Sequence, residues 1–166
     1  MTTRTTTYDY EQSSESGRER HVEIPYARLV DATPTLHDPA AVTALVAGTE
    51  LTGTVITLDA VNSIALLNVA LGAVYRHNVR NVLTYGGGPA EATWGPINIG
   101  DPVFYDPTSD LLNGIKLSTS PLNGAGAANP RFGTVVMMQD ETASSFPKGT
   151  DAAGSTHVCA VMQIKS

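Results

Sequence analysis

Short stretches rich in apolar and β-branched residues recur along the chain between polar segments, and they predict β-strands. The four clearest are Thr52–Leu58, Ala73–Leu83, Phe132–Met138 and Thr156–Ile164. Ala73–Leu83 alternates between apolar and polar residues, and because successive side chains of a strand point to opposite faces, this alternation indicates a strand with one solvent-exposed face. Several short strands separated by long loops predict an all-β or β-dominated fold.

A β-hairpin is predicted in the second half of the chain. Two runs rich in β-forming residues, Ile97–Tyr105 and Gly114–Ser118, flank a connector that ends in Asn113-Gly114. Asn-Gly tolerates positive φ, which favours a tight turn between two strands. Pro102 lacks a backbone N–H, so we expect it at the start of a strand or on a sheet edge.

One short helix is predicted after residue 37. Asp38 suits the N-cap, Pro39 suits the first helical position, and Gly48 suits the end. The residues that would share its apolar face are Val42, Leu45 and Val46. A helix of about ten residues is only marginally stable by itself, so we expect it to pack on a sheet.

Three other segments are less regular. Ala60–Leu71 fits helical spacing and strand alternation equally well, so both alternatives stay open. His21–Val30 contains a proline and is interpreted as an edge strand or an extended linker. Gly86–Pro96, with the only tryptophan at Trp94, is predicted to be a loop because glycine and proline dominate it.

The first twenty residues predict an extended N-terminal arm. Thr, Ser, Glu and Arg dominate this segment, so little apolar surface is available to offset the entropy of ordering it. The arm is either a terminus without a role or a strap that becomes ordered on a partner. We favour the strap, because Tyr and Arg are enriched at interface hot spots. The predicted partner-binding residues are Tyr8, Tyr10, Arg18, Arg20 and Tyr26. The predicted organisation is an arm over residues 1–30 and a β-rich domain over residues 31–166.

An ordered series of motifs resembles the small capsid decoration proteins of tailed phages, also called cement proteins. Residues 97–106, INIGDPVFYD, resemble the core motif of that family. Gly114–Pro121, Asn129–Val136 and the final β-rich segment His157–Ile164 follow in a similar order. Gly-Asp-Pro alone is a common turn, so the weight of the resemblance lies in the ordered series.

This resemblance implies a fold, a partner and a location. The related folds are compact β-barrels or β-tulips, in which three copies assemble at three-fold or quasi-three-fold positions of the shell. We therefore expect a homotrimer on the outer capsid surface of a virion, bound to the major capsid protein and synthesised in the host cytoplasm. Such a subunit stabilises the head by bridging neighbouring capsid subunits.

Composition and charge narrow the classes of partner. Charged residues make up only 16% of the chain, which favours a surface that lies largely against other protein. The net charge is −6 and the basic residues are scattered, so no nucleic-acid partner is expected. No apolar run is long enough to span a membrane, and no signal peptide is recognised at the start. The single Cys159 lies in an apolar run and is interpreted as a core residue.

The search for reactive groups predicts neither an enzyme nor a cofactor or metal. The four histidines stand far apart, without metal-binding spacing: His21, His37, His77 and His157. Asp101, Asp106 and Asp110 are the candidates for a carboxylate cluster, although turn formation already accounts for Asp106 and Asp110. The alternatives to capsid decoration are a phage tail or adhesin component and, less favoured, a small carbohydrate-binding or hydrolase β-domain.

Overall fold

The computed structural model describes residues 20–43, 51–84, 93–95, 97–106, 115–138 and 157–164. Strands make up 56% of these residues and helix 3%, which confirms the predicted all-β class. The described residues form two compact units. The first contains those up to Ala73 together with Gln163 and Ile164, and the second runs from Val74 to Met162. Residue 30, the predicted end of the arm, lies within the first unit.

The first unit is a four-stranded antiparallel sheet. Its strands are β1 (His21–Pro25), β2 (Pro39–Val42), β3 (Leu51–Asp59) and β4 (Ile64–Asn68), in the spatial order β1-β4-β3-β2. β1 lies at an edge, so the edge-strand alternative for this segment is confirmed, with the proline as the last residue of the strand. A three-residue 3₁₀ helix, Tyr26–Arg28, follows β1. The chain then passes beside β2, where the N–H of Val30 donates to the carbonyl of Ala41 at 2.8 Å.

The ambiguous segment after residue 60 is a turn followed by a strand. β4 pairs with β1 on one side and β3 on the other, and its alternating side chains Ala65 and Leu67 are fully buried. The turn is held by Asp59, whose carboxylate accepts hydrogen bonds from the side chain of Asn62 and from the backbone N–H groups of Val61 and Asn62. These bonds, that of the Asn62 side chain first, hold the pKa of Asp59 below its usual range.

The predicted helix is wrong over its described residues. Residues 39–42 form β2, which pairs with β3 in the register Pro39↔Thr54 to Val42↔Leu51. Asp38 does not act as an N-cap; its carbonyl instead accepts the N–H of Val55 at 2.9 Å. A ten-residue helix gains little from its own hydrogen bonds, whereas pairing with a nine-residue strand satisfies the backbone and buries the segment. Proline at a strand start is as acceptable as at a helix start.

A buried glutamine completes the first unit. Gln163 is 3% exposed, and its side-chain oxygen accepts a hydrogen bond from the hydroxyl of Thr54 at 2.7 Å. Its Nε2 donates to the carbonyls of Asn68 at 2.9 Å and Ala70 at 3.2 Å. The apolar core beside this network is formed by Leu29, Ala40, Val42, Val55, Ala65, Leu67 and Val69.

The second unit contains a closed five-stranded β-barrel. The strands of this unit are β5 (Val74–Thr84), β6 (Thr93–Gly95), β7 (Pro102–Tyr105), β8 (Leu117–Ser118), β9 (Arg131–Met138) and β10 (His157–Gln163), the last residue of which belongs to the first unit. The barrel consists of β10, β9, β7, β8 and β5, and β6 pairs with β5 beside it. The sheet order is β10-β9-β7-β8-β5-β6, and the pairing of β10 with β5 closes the barrel. The barrel expected from the resemblance is therefore present. β5 and β8 run parallel to each other.

The predicted hairpin is present in the barrel wall. β7 and β8 pair antiparallel in the register Phe104↔Ser118 and Tyr105↔Leu117, and Pro102 is the first residue of β7, as predicted. The predicted loop around Trp94 is wrong at residues 93–95, because β5 is long enough to offer a partner to this short strand. The fully buried side chains of the barrel strands include Val79, Val103, Leu117, Phe132, Val135, Cys159 and Val161. Cys159 is thus a core residue, as predicted.

Candidate functional site

Two of the five predicted partner-binding residues belong to the described chain. Tyr8, Tyr10 and Arg18 lie outside the described residues. Arg20 and Tyr26 lie at either end of β1 in the first unit.

Arg20 is an exposed residue with a fixed backbone. Its N–H donates to the side-chain oxygen of Asn68 at 3.0 Å, and its carbonyl accepts the N–H of Val69 at 2.8 Å. Arg20 is the last of the twenty residues that predict the arm. The predicted arm is therefore joined to the sheet at a residue whose backbone is fixed.

Tyr26 is held partly by its own unit. Its N–H donates to the carbonyl of Ser63 at 2.9 Å, and its half-buried side chain packs against the core of the first unit. A half-buried tyrosine that is already held by packing can contact a partner with little further loss of side-chain entropy. A partner contact at Tyr26 stays a prediction.

The outer wall of the barrel presents an arginine stacked on a phenylalanine. The guanidinium carbon of Arg131 lies 5.7 Å from the ring centroid of Phe104, a cation–π distance. Arg131 also donates from Nε to the carbonyl of Gly133 at 2.9 Å and from a terminal nitrogen to the hydroxyl of Thr134 at 3.0 Å. Both side chains are half-buried, so this arginine is preorganised at a surface. Both residues lie in segments that the sequence analysis discusses, but their contact could not be predicted. The register between β7 and β9 cannot be inferred from either segment alone.

Apolar side chains are also exposed on β5 and β10. Val74 is 45% exposed and lies opposite Met162 in the strand register. Val158, 36% exposed, lies opposite the exposed Asn78. Singly exposed valines are normal on a protein surface, so these two do not by themselves mark a binding surface.

The candidate carboxylate cluster is not assembled. Asp101 precedes β7 and accepts the N–H of Asn98 at 2.8 Å, whereas Asp106 follows β7 and accepts the hydroxyl of Ser118 at 2.9 Å. Because an extended strand rises about 3.3 Å per residue, their α-carbons are roughly 16 Å apart. Asp106 is fully buried, and Asp110 lies outside the described residues. Asp101 and Asp106 therefore stabilise the backbone at opposite ends of β7 and do not form one site.

The sequence analysis also did not predict a buried arginine in the barrel wall. Arg80 is fully buried, and it lies opposite Ser118 in the parallel register of β5 and β8. Ser118 therefore stands between a buried arginine and a buried aspartate. No periodicity marks Arg80 as an interior residue, since it follows the buried Val79 directly.

The described histidines occupy unrelated places. His21 belongs to β1, His157 begins β10, and His37 lies in a loop with a positive φ of 70°. His77 is 4% exposed inside the barrel, and burial lowers its pKa to about 4. Across the described ranges no three potential metal-ligating side chains come together.

The chain was also compared with membrane-spanning helices and with known proteins. Within the described part of the chain, no helix is long and apolar enough to cross a membrane. Comparisons of the chain with known protein families, with characterised proteins and with solved structures find no match.

Proposed function

We propose that the chain is a capsid decoration protein, a structural subunit that attaches to the outer surface of a tailed-phage head. The observation that carries this proposal is the ordered motif series that begins at Ile97-Asn98-Ile99-Gly100-Asp101-Pro102. The proposed partners are the major capsid protein and two further copies of the same chain around a three-fold position. The proposed role needs no catalysis and no cofactor.

The position of the motifs in the fold supports the proposal. The four segments that carry the resemblance contain β7, β8, β9 and β10, four of the five strands of the closed barrel. They therefore belong to one compact structural unit rather than to scattered surface turns. If the resemblance reflects a shared fold, the matching segments are expected to lie together in one domain.

Stabilisation of a head would follow from ordinary association physics. A subunit that contacts several capsid proteins at once makes each contact after the first effectively intramolecular, so the contacts break only together. Binding to the assembled shell and not to its dissociated subunits stabilises the shell by mass action. The surfaces proposed for these contacts are the arm with Arg20 and Tyr26, and the wall around Phe104 and Arg131.

Sedimentation of the purified protein with phage particles tests the proposal. We expect the protein to sediment with purified heads and not with purified tails, and a map of the decorated head to show three copies around each occupied position. Binding to tails alone would favour the tail or adhesin alternative. Binding to neither, with affinity for an oligosaccharide, would favour the carbohydrate-binding alternative.

Deletion of residues 1–19 is expected to weaken attachment to heads while leaving the stability of the folded domain nearly unchanged. Residue 20 is retained because its backbone bonds to Asn68 and Val69 belong to the sheet. We expect the melting temperature to change by less than about 2 °C, since the segment contains little apolar surface to bury. Occupancy on heads should fall at least tenfold, and the double change Tyr8→Ala, Tyr10→Ala should reproduce much of that fall.

The full-length protein with Thr2→Ala and Thr3→Ala is the matched control for that experiment, since it changes the same segment without removing an aromatic or basic side chain. It should decorate heads as the unchanged protein does. Full occupancy by the truncated protein would show that the arm is not a strap. Decoration itself could still hold in that case, through the barrel wall.

A further inference from the structure

The C-terminal strand contributes to both units of the fold. β10 closes the barrel by pairing with β5 over six residues, the last pair being Met162↔Val74, and the next residue of the strand, Gln163, belongs to the first unit. The chain therefore passes from one unit to the other at two peptide bonds, Ala73–Val74 and Met162–Gln163. The pairing of β10 in the barrel thus determines where the backbone reaches Gln163.

Gln163 is bound in the first unit through its side chain and its backbone. The side chain bonds to the three partners described above, within the first unit. Its backbone N–H donates to the carbonyl of Ala73 at 2.8 Å, and its carbonyl accepts the N–H of Gly72 at 2.8 Å. Because the residue is 3% exposed, water cannot easily replace these bonds, and their loss is costly.

Asn68 extends this network to the base of the predicted arm. Its carbonyl accepts a hydrogen bond from Nε2 of Gln163 at 2.9 Å, and its side-chain oxygen accepts the N–H of Arg20 at 3.0 Å. The same side-chain oxygen accepts the N–H of Ala70 at 3.1 Å, and the carbonyl of Arg20 accepts the N–H of Val69 at 2.8 Å. One buried asparagine therefore joins the end of β10 to the backbone at which the predicted arm meets the sheet.

We propose that β10 is a C-terminal clasp, in which the strand that closes the barrel also holds the first unit together through Gln163. The pairing of β10 with β5 fixes Met162, and Gln163 is the next residue, so a closed barrel keeps the glutamine bound among its partners. Release of this end of β10 removes a contiguous set of hydrogen bonds from the first unit, which then opens with it. The proposal does not depend on the protein being a decoration protein.

Amide hydrogen exchange of the full-length protein tests the clasp. Gly133→Ala is the perturbation, because a β-carbon at Gly133 would overlap the carbonyl oxygen of Met162 and displace the end of β10. The amides of Arg20 and Val69 report on the first unit, since both take part in the network around Asn68. We expect both amides to exchange at least about tenfold faster in Gly133→Ala than in the unchanged protein.

Gln163→Leu supplies the second background for this measurement. It removes the side-chain bonds of Gln163 and keeps the backbone bonds of that residue. Because the clasp is already lost in this background, Gly133→Ala should accelerate exchange at Arg20 and Val69 by less than about threefold there.

Gly126→Ala is the matched control, because it adds the same methyl group to the same unit outside β10 and without a clash. It should change both exchange rates by less than about threefold. An acceleration below about threefold in Gly133→Ala would overturn the proposal, as would an equal acceleration in Gly126→Ala or in the Gln163→Leu background. If Gln163→Leu does not fold, Thr54→Val replaces it, and an undiminished effect of Gly133→Ala in that background would also overturn the proposal.

Discussion

Replacement of Gly133 by alanine is expected to destabilise the barrel by about 3 kcal/mol, because β9 has no room there for a methyl group. A β-carbon built at Gly133 would overlap the carbonyl oxygen of Met162 and lie 3.0 Å from a methyl of Val161. Neither neighbour is the free end of a flexible side chain, so β9 and β10 must move apart. For a chain of this size we expect the melting temperature to fall by roughly 10 °C.

The matched control for this change is Gly126→Ala. Gly126 has a positive φ of 84° and no atom within 4 Å of an added β-carbon, so alanine there meets backbone strain but no clash. We expect a cost of about 1 kcal/mol. Calorimetry of the two variants measures the difference directly. Equal melting temperatures would show that β9 and β10 can move apart at Gly133 at little cost. The close contact between Gly133 and Met162 would then not be needed for stability.

Replacement of Gln163 by leucine is expected to lower the free energy of unfolding of the first unit by about 4 kcal/mol. The change keeps the volume of the side chain but removes the acceptor of the Thr54 hydroxyl and the donor to the carbonyls of Asn68 and Ala70. Each buried polar group that loses its partner costs about 1–3 kcal/mol. Chemical denaturation, followed by hydrogen exchange of the β3 and β4 amides, measures the loss.

A double-mutant cycle with Thr54→Val separates the hydrogen bond from the packing. If the bond between Thr54 and Gln163 contributes, the two changes together should cost at least about 1 kcal/mol less than the sum of the single changes. Additive costs would mean that Gln163 stabilises the first unit through the two carbonyls alone. A cost near zero for Gln163→Leu itself would contradict the network.

The candidate binding surface was only partly accessible to sequence reasoning. The composition of the first twenty residues predicts a contact segment, and the structure adds that the backbone of its last residue, Arg20, is fixed by hydrogen bonds to the sheet. The stacked pair of Phe104 and Arg131 could not be predicted. It depends on a β-bulge between Val103 and Phe104 that shifts the register of β7 against β9. A shift of one residue changes which side chains meet, and nothing local encodes it.

The sequence by itself determined where the long strands lie, that proline begins β7, and that Cys159 is buried. These predictions follow from runs of apolar and β-branched residues, from the two-residue period along β5 and from the missing N–H of proline, which are local properties. Only the tertiary structure decided that residues 39–42 pair with β3 instead of forming a helix, and that β10 closes a barrel on β5. It also decided that a glutamine 109 residues from Thr54 completes the first unit. Periodicity specifies which face of a segment is buried, but the choice of neighbour depends on packing and hydrogen bonds between segments far apart in sequence.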